Sequence, residues 1–162
     1  MCIRDRDRLW APWRINYVSK KQKRGCIFCS AYRQESDKKN FVVLRSRYCF
    51  VILNAFPYNN GHLMIVSNRH VSSLAQLSDS EILDMNKTLV KMTQVLETVL
   101  KPQGFNAGIN LGKVSGAGID RHLHIHLVPR WLGDTNFMPV LTDTKIIAQS
   151  LEELYKQIKQ EL

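Results

Sequence analysis

The chain has 162 residues, 44% of them apolar and 23% charged, which fits one domain with a single core and leaves no room for two large ones. No run approaches the roughly 18 consecutive apolar residues of a membrane span, and the charge-alternating start Met1-Cys-Ile-Arg-Asp-Arg-Asp-Arg8 lacks the apolar stretch of a secretory signal. A soluble cytoplasmic protein is expected, with residues 1–8 a disordered or artefactual N-terminus and residues 9–162 a single domain.

Lys and Arg outnumber Asp and Glu by 23 to 14, and much of the excess (Lys20, Lys21, Lys23, Arg24, Lys38, Lys39) flanks a cysteine pair. Such a balance favours anionic partners, either nucleic acid or a free polyphosphate nucleotide, and is equally compatible with a plain solvated surface. There is no internal repeat or low-complexity tract.

Taken in chain order, residues 41–44 and 48–53 are rich in Val, Ile and aromatics around Arg45-Ser46-Arg47, which predicts an antiparallel hairpin. The turn formers Pro57-Tyr58-Asn59-Asn60-Gly61 feed a third strand over 62–67, with His62 at its entrance. From Ser78, apolar residues Ile82, Met85, Leu89, Met92, Leu96 and Val99 recur at helical spacing, with Ser78 and Glu81 as a capping box. Pro102 and Gly104 close that helix, a fourth strand covers 105–111, and a glycine-rich turn over 112–118 leads into a fifth strand over 122–128 that stops at Pro129. A closing helix is predicted over 144–160, with Ile147, Leu151, Leu154 and Ile158 in phase. The sum is an α+β fold: a mainly antiparallel five-stranded sheet, one long helix packed on it, and a C-terminal helix.

The chemistry points to His122-Leu-His-Ile-His-Leu-Val128, where histidine alternates with aliphatic residues. On a strand the three imidazoles emerge on one face and Leu123, Ile125 and Leu127 on the other. Neutral imidazole attacks phosphorus near pH 7, and its neighbours can bind phosphate oxygens or stabilise developing charge. The adjacent glycine turn, with Gly116 and Gly118, offers backbone N–H groups to an anion.

This pattern, His-φ-His-φ-His-φ-φ with φ apolar, resembles the signature of the histidine-triad (HIT) superfamily. The likeness extends from Leu9-Trp-Ala-Pro-Trp-Arg14 and Cys26-Ile-Phe-Cys29, through Asn54 to His70, to Pro129-Arg-Trp-Leu-Gly-Asp-Thr-Asn-Phe137. It is similar to the bacterial branch concerned with diadenosine tetraphosphate hydrolysis or phosphorolysis. The resemblance implies a HIT-like fold in which His124 is the nucleophile, His126 contacts the phosphate and His122 supports the site. It further implies a ribose contact at Asn54, a pocket histidine at His62 and a phosphate-side polar residue at Asn110. It implies a homodimer too, in which Trp131 and the segment through Asn136 and Phe137 reach the neighbouring subunit's site. Two departures stand out: Gly118-Ile119 replaces a Gln-Ser or Gln-Thr pair of hydrolase members, and His126 replaces the glutamine of the transferase branch. The second favours water as acceptor and leaves phosphorolysis open.

Four cysteines do not make a disulfide framework in a chain of this kind. Cys2 reads as an incidental thiol and Cys49 as a buried apolar residue. Cys26 and Cys29 can grip one tetrahedral zinc if two further ligands are found among five histidines; a reduced metal-free pair, or a redox dithiol opening a helix in a βαβ context, are the other readings. The family resemblance implies His70 and His122 as the missing ligands of a structural zinc, and no organic cofactor. Two rival functions stay in view, a catalytic metal held by the His-x-His-x-His strand itself, and a non-catalytic nucleotide or nucleic-acid binding module.

Overall fold

The computed structural model of the chain describes residues 25–116, 118–135, 138 and 146–162. Cys2, residues 9–14, the basic residues of 20–24, Asn136 and Phe137 lie outside them. The elements in order are α1 (Ile27–Gln34), α2 (Asp37–Asn40), β1 (Val42–Arg45), β2 (Cys49–Leu53), β3 (Leu63–Ser67), a 3-10 turn (Leu74–Gln76), α3 (Asp79–Leu100), β4 (Gly104–Gly108), β5 (His124–Arg130) and α4 (Leu151–Glu161). The strands form one antiparallel sheet in the order β1-β2-β3-β5-β4, as the α+β reading expects. Among the described residues no helix is long and apolar enough to cross a membrane.

Every residue of β2 and β3 is buried, so both faces of the sheet's centre are covered. One face, with Val51, Ile65, Leu123, Ile125 and Leu127, meets Met85, Met92 and Leu96 of α3 and Leu154 and Ile158 of α4. The other, with Val42, Phe50, Ile52, Met64 and Val66, is roofed by Phe28 and Ala31 of α1. The period of two along each strand divides the apolar residues between these two cores.

Several boundaries depart from the sequence reading. Phe41 does not start β1; it takes the left-handed conformation (φ 55°) that ends α2. The face that α3 buries is rotated, with Thr88 and Val95 inside and Ile82 outside; turned inward, Thr88 accepts from the buried Cys49 thiol at 3.3 Å. β4 begins at Gly104 and ends at Gly108, earlier than expected. β5 runs through Pro129 to Arg130. Proline is tolerated there because β3 starts at Leu63, opposite Leu127, so no β3 residue stands opposite Pro129 to want its missing N–H. Its carbonyl accepts from Asn59 Nδ2 at 3.1 Å instead. α4 starts at Leu151, leaving Ile147 outside it, because Ser150 is extended and its hydroxyl accepts the Glu153 N–H at 3.2 Å.

Two devices position the site. Gly61 has φ +80°, and a Cβ there would lie 2.5 Å from Leu100 Cδ1 and 2.8 Å from Pro129 Cγ; glycine alone lets the 57–61 turn press against β5 and α3. Asp84 of α3 takes hydrogen bonds from the Ser46 hydroxyl (2.7 Å) and the Tyr48 N–H (2.8 Å), fastening the β1–β2 turn to the long helix. Replacing Asp84 by Ala leaves those donors without a carboxylate and should lower unfolding stability by about 2–3 kcal/mol, read from the urea midpoint at unchanged m-value.

Candidate active site and metal centre

β5 and the residues before it place the three triad histidines differently. His122 and His124 are 1% and 4% exposed, and His126 is half-buried. His124 Nδ1 lies 2.8 Å from the carbonyl oxygen of His122. A carbonyl only accepts, so Nδ1 carries the proton and donates, and Nε2 holds the lone pair. His122 is the reverse: its Nε2 lies 2.7 Å from the Ser67 carbonyl oxygen and must donate, which leaves Nδ1 as the basic atom. That atom faces the cysteine pair, 3.2 Å from Cys26 Sγ and 3.6 Å from Cys29 Sγ.

His70 Nδ1 lies 3.3 Å from Cys29 Sγ, and the four ligand atoms of Cys26, Cys29, His70 and His122 all fall within 4.8 Å of one another. A tetrahedral ion with S and N ligands at about 2.3 and 2.0 Å has ligand atoms about 3.3–3.8 Å apart, so the shorter separations have the right scale. The Ser67 carbonyl fixes the tautomer that turns Nδ1 of His122 toward such an ion, the usual outer support of a ligating histidine. Burial pushes the Cys29 thiol pKa up, reinforced by its neighbour Cys26; thiols held as acids in this way ionise when a cation binds.

The cysteine pair opens a helix, with Cys26 at the N-cap of α1, which the sequence reading did not foresee. The redox-dithiol alternative is not strengthened, since every described strand pairing is antiparallel and a βαβ unit needs parallel strands. Nor does β5 gather its histidines round one ion: His122 turns to the cysteines, His126 Nδ1 faces His62, and the converging ligand atoms among the described residues include neither His124 nor His126. The catalytic-metal reading of the strand loses its geometry.

His62, just ahead of β3, joins the triad from the side. Its Nε2 lies 2.9 Å from His126 Nδ1, and its Nδ1 is approached by the Tyr58 N–H at 3.1 Å and Asn54 Nδ2 at 3.3 Å. Asn54, His62, His124 and His126 thus form one cluster. Asn110 follows two residues after Gly108, which pairs with His126, and Gly116 lies in the exposed turn with φ +86°, closed by the Ser115 hydroxyl donating to the Gly112 carbonyl at 2.7 Å. Gly118 is exposed on the same turn.

Sequence reasoning missed two aromatics. Phe28 stands between the cysteines and packs its ring 5.4 Å from His122 and 5.1 Å from His124, and Tyr58, read as a turn residue, lies 4.5 Å from His62 and 5.7 Å from His126. The Phe in Cys-Ile-Phe-Cys was a visible signal; the role of Tyr58 needed the folded turn.

Burial pushes His62 down to about 3, helped by the nearby His126 and His124, and pushes His126 down to about 4, helped by His124. Burial also holds His122 and His124 below the ordinary imidazole value. A ring whose pKa falls on folding binds fewer protons folded than unfolded, so its contribution is complete above the unfolded value of 6.5 and lost as pH falls toward about 4. Between pH 6.5 and 5 each of His62 and His126 should cost about 1–2 kcal/mol of stability. Urea denaturation across that window should show this slope, and a His62→Asn/His126→Asn double variant should flatten it.

The HIT domain family profile matches residues 35–131. An AP-4-A phosphorylase of Mycobacterium tuberculosis is 39% identical over 154 residues, covering 90% of this chain and 79% of the relative. A bis(5'-nucleosyl)-tetraphosphatase (asymmetrical) of Schizosaccharomyces pombe is 31% identical over 93 residues, 57% of this chain and 50% of that protein. Among solved structures, a Zn-bound histidine triad family protein from Mycobacterium smegmatis superposes with a TM-score of 0.68 at 20% identity, covering 85% of this chain and 92% of its own, a likeness of fold. With a profile match over more than half its length, the chain belongs to the HIT family.

Proposed function

We propose that the chain is an enzyme that splits dinucleoside polyphosphates, diadenosine tetraphosphate in the first instance, by nucleotidyl transfer through His124. One observation carries the reading: the His124 Nδ1–H is bonded to the His122 carbonyl at 2.8 Å, which leaves Nε2 as a neutral, oriented nucleophile. Nε2 bonds to the α-phosphorus as the bond to the bridging oxygen breaks, and the polyphosphate leaves as an anion that needs no proton at neutral pH. The carbonyl on Nδ1–H stabilises the positive charge that the ring then carries. Water or inorganic phosphate next attacks phosphorus, releases AMP or ADP and restores His124. The likeness to an AP-4-A phosphorylase over 79% of its length supports phosphate as acceptor; a histidine at position 126 and the likeness to a tetraphosphatase support water.

In the same reading Cys26, Cys29, His70 and His122 hold zinc. When bound, the ion supplies structure, cross-linking α1 to the start of β5 beside the nucleophile. The Gly116 and Gly118 N–H groups and Asn110 take phosphate oxygens. The enzyme is a cytoplasmic homodimer, with Trp131 at the neighbouring subunit's site.

Incubation with diadenosine tetraphosphate, with and without phosphate, tests the chemistry. ADP formed only with phosphate marks a phosphorylase, AMP with ATP a hydrolase, and an adenylyl adduct should be seen by intact mass. His124→Ala should abolish the adduct and slow turnover on the order of 10⁴-fold or more; unchanged turnover would refute the assignment. Metal analysis should give one zinc per chain, and Cys26→Ser or chelation should strip it and lower the melting temperature. A salt-steep affinity for oligonucleotides with no turnover would favour the binding module.

A further inference from the structure

The polar contacts of the His62–His126 pair determine where each proton sits. The Phe56 N–H donates to Asn54 Oδ1 at 2.9 Å, so the Asn54 amide is oriented and the atom 3.3 Å from His62 Nδ1 is a true donor, Nδ2. The Tyr58 N–H donates to the same nitrogen at 3.1 Å. With two donors aimed at it, His62 Nδ1 must hold a lone pair. The proton of the neutral ring is therefore on Nε2, which lies 2.9 Å from His126 Nδ1 and donates to it. His126 Nδ1 is then an acceptor, and its proton is on Nε2. That nitrogen is buried and finds no hydrogen-bond partner among the described residues, a donor in need of an acceptor.

We propose that Asn54 and the backbone N–H of Tyr58 are positioning groups that fix the tautomer of His62 and, through it, that of His126, so that His126 presents an N–H rather than a lone pair to a substrate phosphate oxygen. The acceptor's identity rests on the nucleotidyl-transfer reading; the relay of protons does not. The arrangement divides labour between adjacent triad members: His124 offers Nε2 as a lone pair to phosphorus, and His126 offers Nε2–H to oxygen. A reversed tautomer at His126 would set a lone pair against the phosphate's own and repel the substrate. Asn54 acts here by orienting a histidine, in addition to any ribose contact.

The pair's setting supports the assignment. Tyr58 is held against both rings, and its turn is anchored one residue on, where Asn59 Nδ2 donates to the Pro129 carbonyl (3.1 Å) and to Asp134 Oδ2 (2.8 Å). Asp134 is in turn gripped by Arg130 at 2.6 Å. The donor on His62 is thus part of a braced turn, as a fixed tautomer requires.

Nitrogen-15 NMR of the imidazole rings in the intact, substrate-free protein near neutral pH tests this directly. His62 and His126 should both show a protonated Nε2 and a bare Nδ1; a proton on Nδ1 of either ring overturns the proposal. Asn54→Asp replaces the donor by an acceptor and should move a proton onto His62 Nδ1, whereas Asn54→Ala leaves the Tyr58 N–H to hold the original tautomer. Both variants lose any ribose contact, so turnover about 10- to 100-fold lower in Asn54→Asp than in Asn54→Ala isolates the tautomer effect. Equal rates, or an unmoved proton in folded Asn54→Asp, overturn the role of Asn54. Tautomers as stated in a protein that turns over no dinucleotide would leave the relay standing and refute the nucleotidyl-transfer reading instead.

Discussion

The pairing of β5 with β3 is the constraint on which the site rests. Val66 stands opposite His124 and Met64 opposite His126, and a slip of one residue would exchange the imidazoles for Ile125 and Leu127, driving charge-capable rings into the α3 core. The register is held from several sides: Leu127 and Ile125 are sealed under α3, the Val71 carbonyl takes the Leu123 N–H, and Pro129 is caught by Asn59. The placement of the histidine cluster is therefore inherited from the hydrophobic core on the opposite face.

The sheet keeps its two faces for different work. The face under α3 and α4 is mainly apolar packing, with the Cys49–Thr88 contact inside it, while the face under α1 combines Phe50, Ile52, Met64 and Val66 with the histidines. α1 has only eight residues, too few to be stable by helix propensity alone. It is held by Phe28 in the smaller core and by the position of Cys26 and Cys29 against His70 and His122. The four candidate metal ligands thus lie where the helix most needs a cross-link.

Much of this was legible in the sequence because it depends on periodicity. The alternation over 122–127, the capping box at Ser78 and Glu81, and the hairpin around residues 45–47 are local patterns that tertiary contacts then respected. The convergence of Cys26, Cys29, His70 and His122 followed from family likeness and is matched by their proximity. What stayed hidden needed three dimensions. Nothing in the chain says that Phe41 will turn left-handed, that Thr88 will be buried beside Cys49, or that Pro129 can lie within a strand because β3 does not extend opposite it. The tautomers were equally invisible, since each is set by a carbonyl or an amide brought from elsewhere, at Ser67, at Tyr58 and at Asn54.

The neutrality of the buried rings separates two electrostatic regimes within one small protein. His126 meets His124 edge to face at a centroid separation of 4.7 Å and His62 in a tilted arrangement at 5.1 Å, a density that full protonation would burst apart. Uncharged, they cohere by packing and hydrogen bonds that dissolved ions do not screen. The surplus of positive charge, +9 over the whole chain, is counted without the histidines, and exposed charge is what ions screen. Salt should therefore govern how often a polyphosphate arrives and leave what happens to it afterwards nearly untouched.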